Sequence, residues 1–143
     1  MNLFLEYQKK IINCLNLLKK EGVIELPNSL DNIIVELPPK ISNAEISCNA
    51  GMVLSKINRK SPIEISNLLK NKFLNTFKEF KSVEVAKPGF LNITFKIEFW
   101  RKHLLEILKS DFNYGSTKSH SYKYNIEFVS ANPTGPLHVG HCR

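Results

Sequence analysis

Two histidines, His138 and His141, stand near the end of the sequence behind a loop bounded by proline and glycine: Val129-Ser130-Ala131-Asn132-Pro133-Thr134-Gly135-Pro136-Leu137-His138-Val139-Gly140-His141. The segment before them alternates Tyr122, Tyr124, Ile126 and Phe128 with Lys123, Asn125 and Glu127, a strand pattern that runs to Val129. A strand, a loop and then a helix whose first turn carries both imidazoles on one face would suit a phosphate. Free amides and the positive end of the helix dipole attract an anion, imidazole N–H groups add directional hydrogen bonds, and Gly140 has no side chain to hold a nucleotide off the backbone. Donors so placed could also stabilise the charge that develops on an α-phosphate under attack, which is catalysis by positioning and electrostatics without a covalent nucleophile. Two other chemistries fit less well. A metal site from His138, His141 and Cys142 lacks a fourth ligand at a usual spacing, and Ser130 lacks the G-x-S-x-G elbow of a serine hydrolase. Taken alone, two histidines three apart would be ordinary surface or capping side chains; the loop around them makes the pattern specific.

The elements upstream follow from periodicity. Phe4, Ile11, Leu15 and Leu18 predict a first helix over 3–20, ended by Gly22. After a turn cluster at Pro27, Asn28, Ser29 and Asp31, the residues Ile33, Val35 and Leu37 alternate with Asn32, Ile34 and Glu36, predicting a strand stopped by Pro38 and Pro39. A short strand is expected between Ile41 and Ser47, then a short helix through Ala50, Met52, Val53, Leu54 and Ile57. Ser61-Pro62-Ile63-Glu64 is a capping box with proline at the first helical position, so a helix starts at Pro62. Its apolar face is Ile65, Leu68, Leu69, Phe73 and Phe77, with Lys70, Lys72 and Lys78 outward. Val83 and Val85, a Pro88-Gly89 turn, then Leu91, Ile93 and Phe95 predict a β-hairpin. Ile97, Trp100, Leu104 and Leu108 predict a last helix. Phe73, Phe77, Phe95 and Trp100 fall at core periodicities, so packing is expected of them rather than base stacking. The order predicts a two-layer α+β domain over 1–112, helices on one face of a largely antiparallel sheet. Residues 113–121 read as a polar linker and 122–143 as the start of a second unit.

The 143 residues are 43% hydrophobic and 23% charged, which fits a folded globular chain and excludes a disordered or collagen-like one. No apolar run approaches the roughly 20 residues of a membrane span, and the first 20 residues lack the apolar block of a secretory signal. Cys14, Cys48 and Cys142 are odd in number and far apart, which argues against a disulfide framework and for the cytoplasm, with Cys14 and Cys48 as core thiols. His103 and His120 read as solvated. The net charge of +7 suggests an anionic partner such as nucleic acid, although 17 of the 20 basic residues are lysine, as an AT-rich genome would supply. The excess concentrates in 56–81, where Lys56, Arg59, Lys60, Lys70, Lys72, Lys78 and Lys81 face only Glu64 and Glu79. That stretch is a candidate RNA footprint or a solvated helix face.

Read together, His138-Val139-Gly140-His141 resembles the "HIGH" signature of class I aminoacyl-tRNA synthetases, and the wider wording from Glu127 to His141 resembles arginyl-tRNA synthetases of the bacterial type. Two upstream segments, Val35-Glu36-Leu37-Pro38-Pro39 and Val83 through Ile93, resemble that family's N-terminal additional domain. The resemblance implies an enzyme that makes arginyl-tRNA from L-arginine, ATP and tRNA(Arg) through an adenylate, with Mg2+ beside the ATP, no tightly bound cofactor and a monomeric parent protein. It implies that His138 and His141 contact ATP phosphates, that Gly140 lies against the adenosine, and that Ser130 and Asn132 hold the amino-acid end of arginine. Ala131, Pro133, Thr134, Gly135, Pro136, Leu137 and Val139 would shape the loop. It also implies that 122–143 begins a Rossmann-like catalytic domain, truncated here, and that 1–112 touches the D-loop side of the tRNA elbow. The expectation is that these residues alone make no adenylate. A non-enzymatic RNA-binding module, or a domain that only braces a catalytic core, remains the alternative. Many members have Gly-Asp where this chain has Ala44-Glu45, which leaves in question any turn that needs the glycine.

Overall fold

The computed structural model describes residues 2–40, 42–116, 123–127 and 135–136. The first helix, α1 (Leu3–Lys20), opens on Asn2, whose side chain accepts from the Phe4 and Leu5 amides, and buries Tyr7, Ile11, Cys14, Leu15 and Leu18 along one face. It ends in a Schellman motif. Gly22, at φ +70°, lets its own N–H reach the Lys19 carbonyl and the Val23 N–H reach that of Leu18.

Four strands follow in the chain: β1 (Val35–Glu36), β2 (Ile46–Cys48), β3 (Phe80–Ala86) and β4 (Phe90–Phe95). They form one sheet in the order β1-β2-β4-β3, every pairing antiparallel. The predicted strand over Ile33 to Leu37 is shorter than its alternation suggested. The Asn49 side chain takes the place of a partner strand there, accepting from the Ile34 N–H at 2.8 Å and donating to the Asn32 carbonyl at 2.9 Å. Leu37 is left exposed.

Two helices lie between β2 and β3. The short helix α2 (Ala50–Ser55) is followed by α3 (Pro62–Thr76), whose capping box is complete: Ser61 Oγ accepts from the Glu64 amide, and Glu64 Oε2 accepts from the Ser61 amide at 2.7 Å. Hydrogen bonds from the Ser61 hydroxyl and amide hold the Glu64 carboxyl below its usual range. Between Phe80 and Ser82 a bulge shifts the register of β3 against β4. Phe80 and Val83 are an odd number of residues apart and would sit on opposite faces of a regular strand; the bulge lets both turn to the core and leaves Lys81 exposed.

The core lies between the helices and one face of the sheet, where Val35, Ile46, Cys48, Val83, Leu91, Ile93 and Phe95 meet Ile11, Leu15, Leu54, Ile65, Leu69 and Phe73. This confirms the expected two-layer α+β arrangement. Tyr7 is fully buried and donates to Glu79 Oε1 at 2.9 Å; burial, reinforced by that carboxylate, pushes its phenol far above its usual range. Cys14 and Cys48 are buried thiols, as expected.

The last helix, α4 (Ile97–Ser110), forms where predicted but packs differently. Of Ile97, Trp100, Leu104 and Leu108, which predicted the helix, Trp100 packs as expected, meeting Phe95 edge-on, while the other three are exposed and Phe99 instead stacks on Phe95 at 4.3 Å. The aromatic side is selected because it fits the ring cluster of Tyr7, Phe80 and Phe95. His103, expected to be solvated, is half-buried and stacks on Phe99. Residues 123–127, the described part of the expected strand over 122–129, are exposed and pair with no described strand; alternation gives a strand its faces, but only a neighbouring chain gives it a ladder.

Candidate nucleic-acid interface

Since Leu91, Ile93 and Phe95 point into the core, Phe90, Asn92 and Thr94 must point to the other face of the sheet. No described helix covers that face. It carries a depression of about 390 Å³ lined by Glu36, Leu37, Pro38, Pro39, Ser47, Ala86, Lys87, Phe90 and Asn92. Both upstream segments that carry the family resemblance meet here. Val35 to Pro39 gives one wall, and the hairpin from Val83 to Ile93 gives the floor and the other wall. The floor is built and polar: Ser47 Oγ donates to Asn92 Oδ1 at 2.8 Å, which points the Asn92 amide nitrogen toward Ser42 Oγ at 3.5 Å. The Ser47–Asn92 pair is buried, so what the depression presents is the half-buried Phe90 ring beside Lys87, a stacking surface and a cation of the kind that can meet an unpaired RNA base and its phosphate.

The hairpin turn at the rim is clamped from behind. Ser66 Oγ, fully buried, donates to the Gly89 carbonyl at 2.7 Å. A Cβ on Gly89 would come within 2.5 Å of Pro62 Cβ, and one on Gly51 would strike Ser66 Oγ and lie 2.6 Å from the Gly89 carbonyl. Two glycines thus let α2, the start of α3 and the hairpin turn touch, which fixes where Lys87 and Phe90 stand.

The same contact sorts the basic residues named from sequence. Arg59 and Lys60, both exposed, precede Pro62 directly and so sit at the hairpin end with Lys87; Lys56 begins the same connection. Lys78 and Lys81 lie past the far end of α3, roughly 22 Å away at 1.5 Å per residue. Lys70 and Lys72 are two residues apart, so they leave opposite sides of the helix, and Lys72 lies 3.8 Å from Glu21. The seven therefore form no single stripe: Lys56, Arg59 and Lys60 lie at one end of α3, Lys78 and Lys81 at the other, and Lys70 and Lys72 on the helix between them. Sequence reading missed Phe90, Asn92 and Lys87, although the inward alternation of Leu91, Ile93 and Phe95 already placed Phe90 and Asn92 on the open face.

The Ala44-Glu45 departure has a structural answer. Among the described non-glycine residues only Arg59 and Asp111 have positive φ, so the backbone at Ala44 needs no glycine. Glu45 is an anchor: its carboxylate accepts from the Phe95 amide at 3.0 Å and from the Trp100 indole at 3.4 Å, tying the end of β4 to α4. Of the loop named from sequence, Gly135 and Pro136 are described and exposed. Ser130, Ala131, Asn132, Pro133, Thr134, Leu137, His138, Val139, Gly140 and His141 lie outside the described residues, as does Cys142 of the alternative metal set. No group of three or more metal-ligating side chains occurs among the described residues, and none of their helices is long and apolar enough to cross a membrane.

A helix-backed antiparallel sheet with one open face, whose depression is walled by apolar side chains with Glu36 and Lys87 among them, defines a small two-layer α+β domain. Comparison gives its family. The sequence pattern described as "Arginyl tRNA synthetase N terminal domain" matches residues 5–95, and the chain belongs to that family. Over its whole length it is 49% identical to an arginine-tRNA ligase of Pelagibacter ubique, of which it covers 25%, and 45% identical to one of Wolbachia pipientis from Culex pipiens, of which it also covers 25%. The chain thus spans about a quarter of the length of these curated relatives. In fold it is similar to a Thermus thermophilus arginyl-tRNA synthetase, with a TM-score of 0.52 and 23% identity, over 98% of this chain and 21% of that one.

Proposed function

We propose that the chain is the N-terminal part of an arginine-tRNA ligase, which activates L-arginine with ATP and passes it to tRNA(Arg) for protein synthesis in the cytoplasm. The observation that carries this is the 49% identity to an arginine-tRNA ligase across all of the chain. Residues 1–112 contribute contacts to the D-loop side of the tRNA elbow, through the hairpin-end depression with Lys87 in its wall and through Arg59 and Lys60 at the same end of the domain. Residues 122–143 begin a Rossmann-like catalytic domain. There His138 and His141 hold ATP phosphates with Mg2+ nearby, Gly140 lies against adenosine, and Ser130 and Asn132 hold arginine. The parent protein is a monomer.

Pyrophosphate exchange with ATP, arginine and tRNA tests the division of labour. Exchange is expected from the full-length protein carrying this sequence and none from the 143 residues alone. A full-length protein inactive with arginine and tRNA would overturn the ligase reading, and turnover by the short chain would overturn the assignment of catalysis to the whole. What supports RNA binding within the domain itself is that the segments that resemble the family meet at a depression where the Phe90 ring and Lys87 stand side by side; its apolar wall of Leu37, Pro38 and Pro39 would equally serve a bracing contact, and the salt series separates the two.

A further inference from the structure

We propose that α4 is shared between two cores, with its outer apolar stripe seated against the domain that follows it in the full-length ligase. Ile97, Leu104 and Leu108 recur at helical spacing on one side of α4, flanked by Leu105, and are 57%, 57%, 66% and 56% exposed respectively. Not one residue of the helix is buried, although its other side is held by the Phe99 stack on Phe95 and by the Trp100 bond to Glu45. A helix apolar on two sides is built to be covered on both.

The occupant follows from where α4 lies in the family pattern. The N-terminal-domain pattern ends at residue 95, two residues before α4 begins, yet the relatives match the chain over all of its residues. The helix is therefore part of the ligases without being part of the pattern that defines their N-terminal domain. These relatives carry three quarters of their length outside the matched part, enough for a second apolar core. Arg101 projects within the stripe, between Ile97 and Leu105 on the helix surface, so the docking surface must be apolar with a carboxylate or carbonyl opposite that guanidinium. Leucines in such number do not suit a phosphate backbone. The proposal takes its occupant from the ligase reading above and is otherwise independent of it.

Thiol labelling tests it, read peptide by peptide by mass spectrometry in the full-length protein and in the 143-residue chain. Leu104→Cys and Leu108→Cys are the probes, and Leu17→Cys, 55% exposed on α1, is the control. The expected result is labelling at 104 and 108 about tenfold or more slower in the full-length protein, with 17 unchanged. Equal rates in both chains overturn the proposal. Slow labelling already in the short chain also overturns it, in favour of a second copy if the protection grows with concentration and of a cover from the chain itself if it does not. Arginine-dependent pyrophosphate exchange, measured on the same full-length variants, separates the two readings. Activity with equal labelling removes the docking alone, and protection without activity leaves the docking and removes the ligase.

Discussion

At the scale of single residues, small side chains carry more of the design than their size suggests. Gly51 stands where α2 and the hairpin turn come within reach of each other, so Gly51→Ala must displace Ser66 Oγ or the Gly89 carbonyl. We expect about 1–3 kcal/mol of destabilisation from this overpacking, read as a shift in urea midpoint. Ser66→Ala should cost a similar amount for another reason, because it strips a buried carbonyl of its donor. Cys48 makes a pH prediction. Complete burial pushes its thiol from 9.0 up to about 12. The folded state thus holds a proton that the unfolded state releases earlier, so this contribution to stability is intact below about pH 9 and is lost as the pH rises toward about 12. Urea unfolding at a series of alkaline pH values should show a steeper loss in the parent chain than in Cys48→Ala. Parallel curves would contradict it.

At the scale of elements, Glu45 is the joint between sheet and last helix. Its carboxylate receives both the Phe95 amide and the Trp100 indole, so Glu45→Ala leaves two donors without their partner at the base of α4. The expected loss is about 1–3 kcal/mol, and Trp100, the one tryptophan of the sequence, reports it directly. A red-shifted emission in the variant below the unfolding midpoint indicates a loosened helix, whereas an unchanged spectrum would mean that the ring stack on Phe99 holds α4 by itself. The same element explains why the periodic residues divide, Trp100 packing on the sheet while Ile97, Leu104 and Leu108 stay exposed. Two apolar stripes share the helix, and periodicity alone cannot tell which one meets the nearer core.

At the scale of the whole molecule, the domain divides into a packed side and an open side, and RNA binding should depend on the open side at one end. Phe90→Ala is expected to weaken tRNA binding by about 1–3 kcal/mol, the usual range for one base stack, while leaving the urea midpoint close to that of the parent. Charge should act locally as well. Arg59→Ala with Lys60→Ala, at the hairpin end, should lower both the affinity and its dependence on salt in nitrocellulose binding. Lys78→Ala with Lys81→Ala, at the far end of α3, should change neither by a comparable amount. Equal effects from both pairs would mean that the footprint spans the length of α3.

Much of this architecture was legible before any coordinates. The capping box at Ser61, the stop at Gly22 and the hairpin about Pro88-Gly89 are local events, each decided by a few neighbouring residues, and the structure has all three where the sequence places them. The family wording was legible for the same reason, since it is a string of adjacent residues. What the sequence could not decide was every choice that depends on a partner distant in the chain. The length of β1 was settled by Asn49, the outward face of Phe90 by the covering of the other face, the bulge at Lys81 by the need to turn Phe80 inward, and the side of α4 that packs by rings from α1 and the hairpin. The seven basic residues show the difference most plainly. They form one run in sequence, but α3 spreads them over its two ends and opposite sides of its body, because a helix translates neighbours along its axis and turns each residue away from the last.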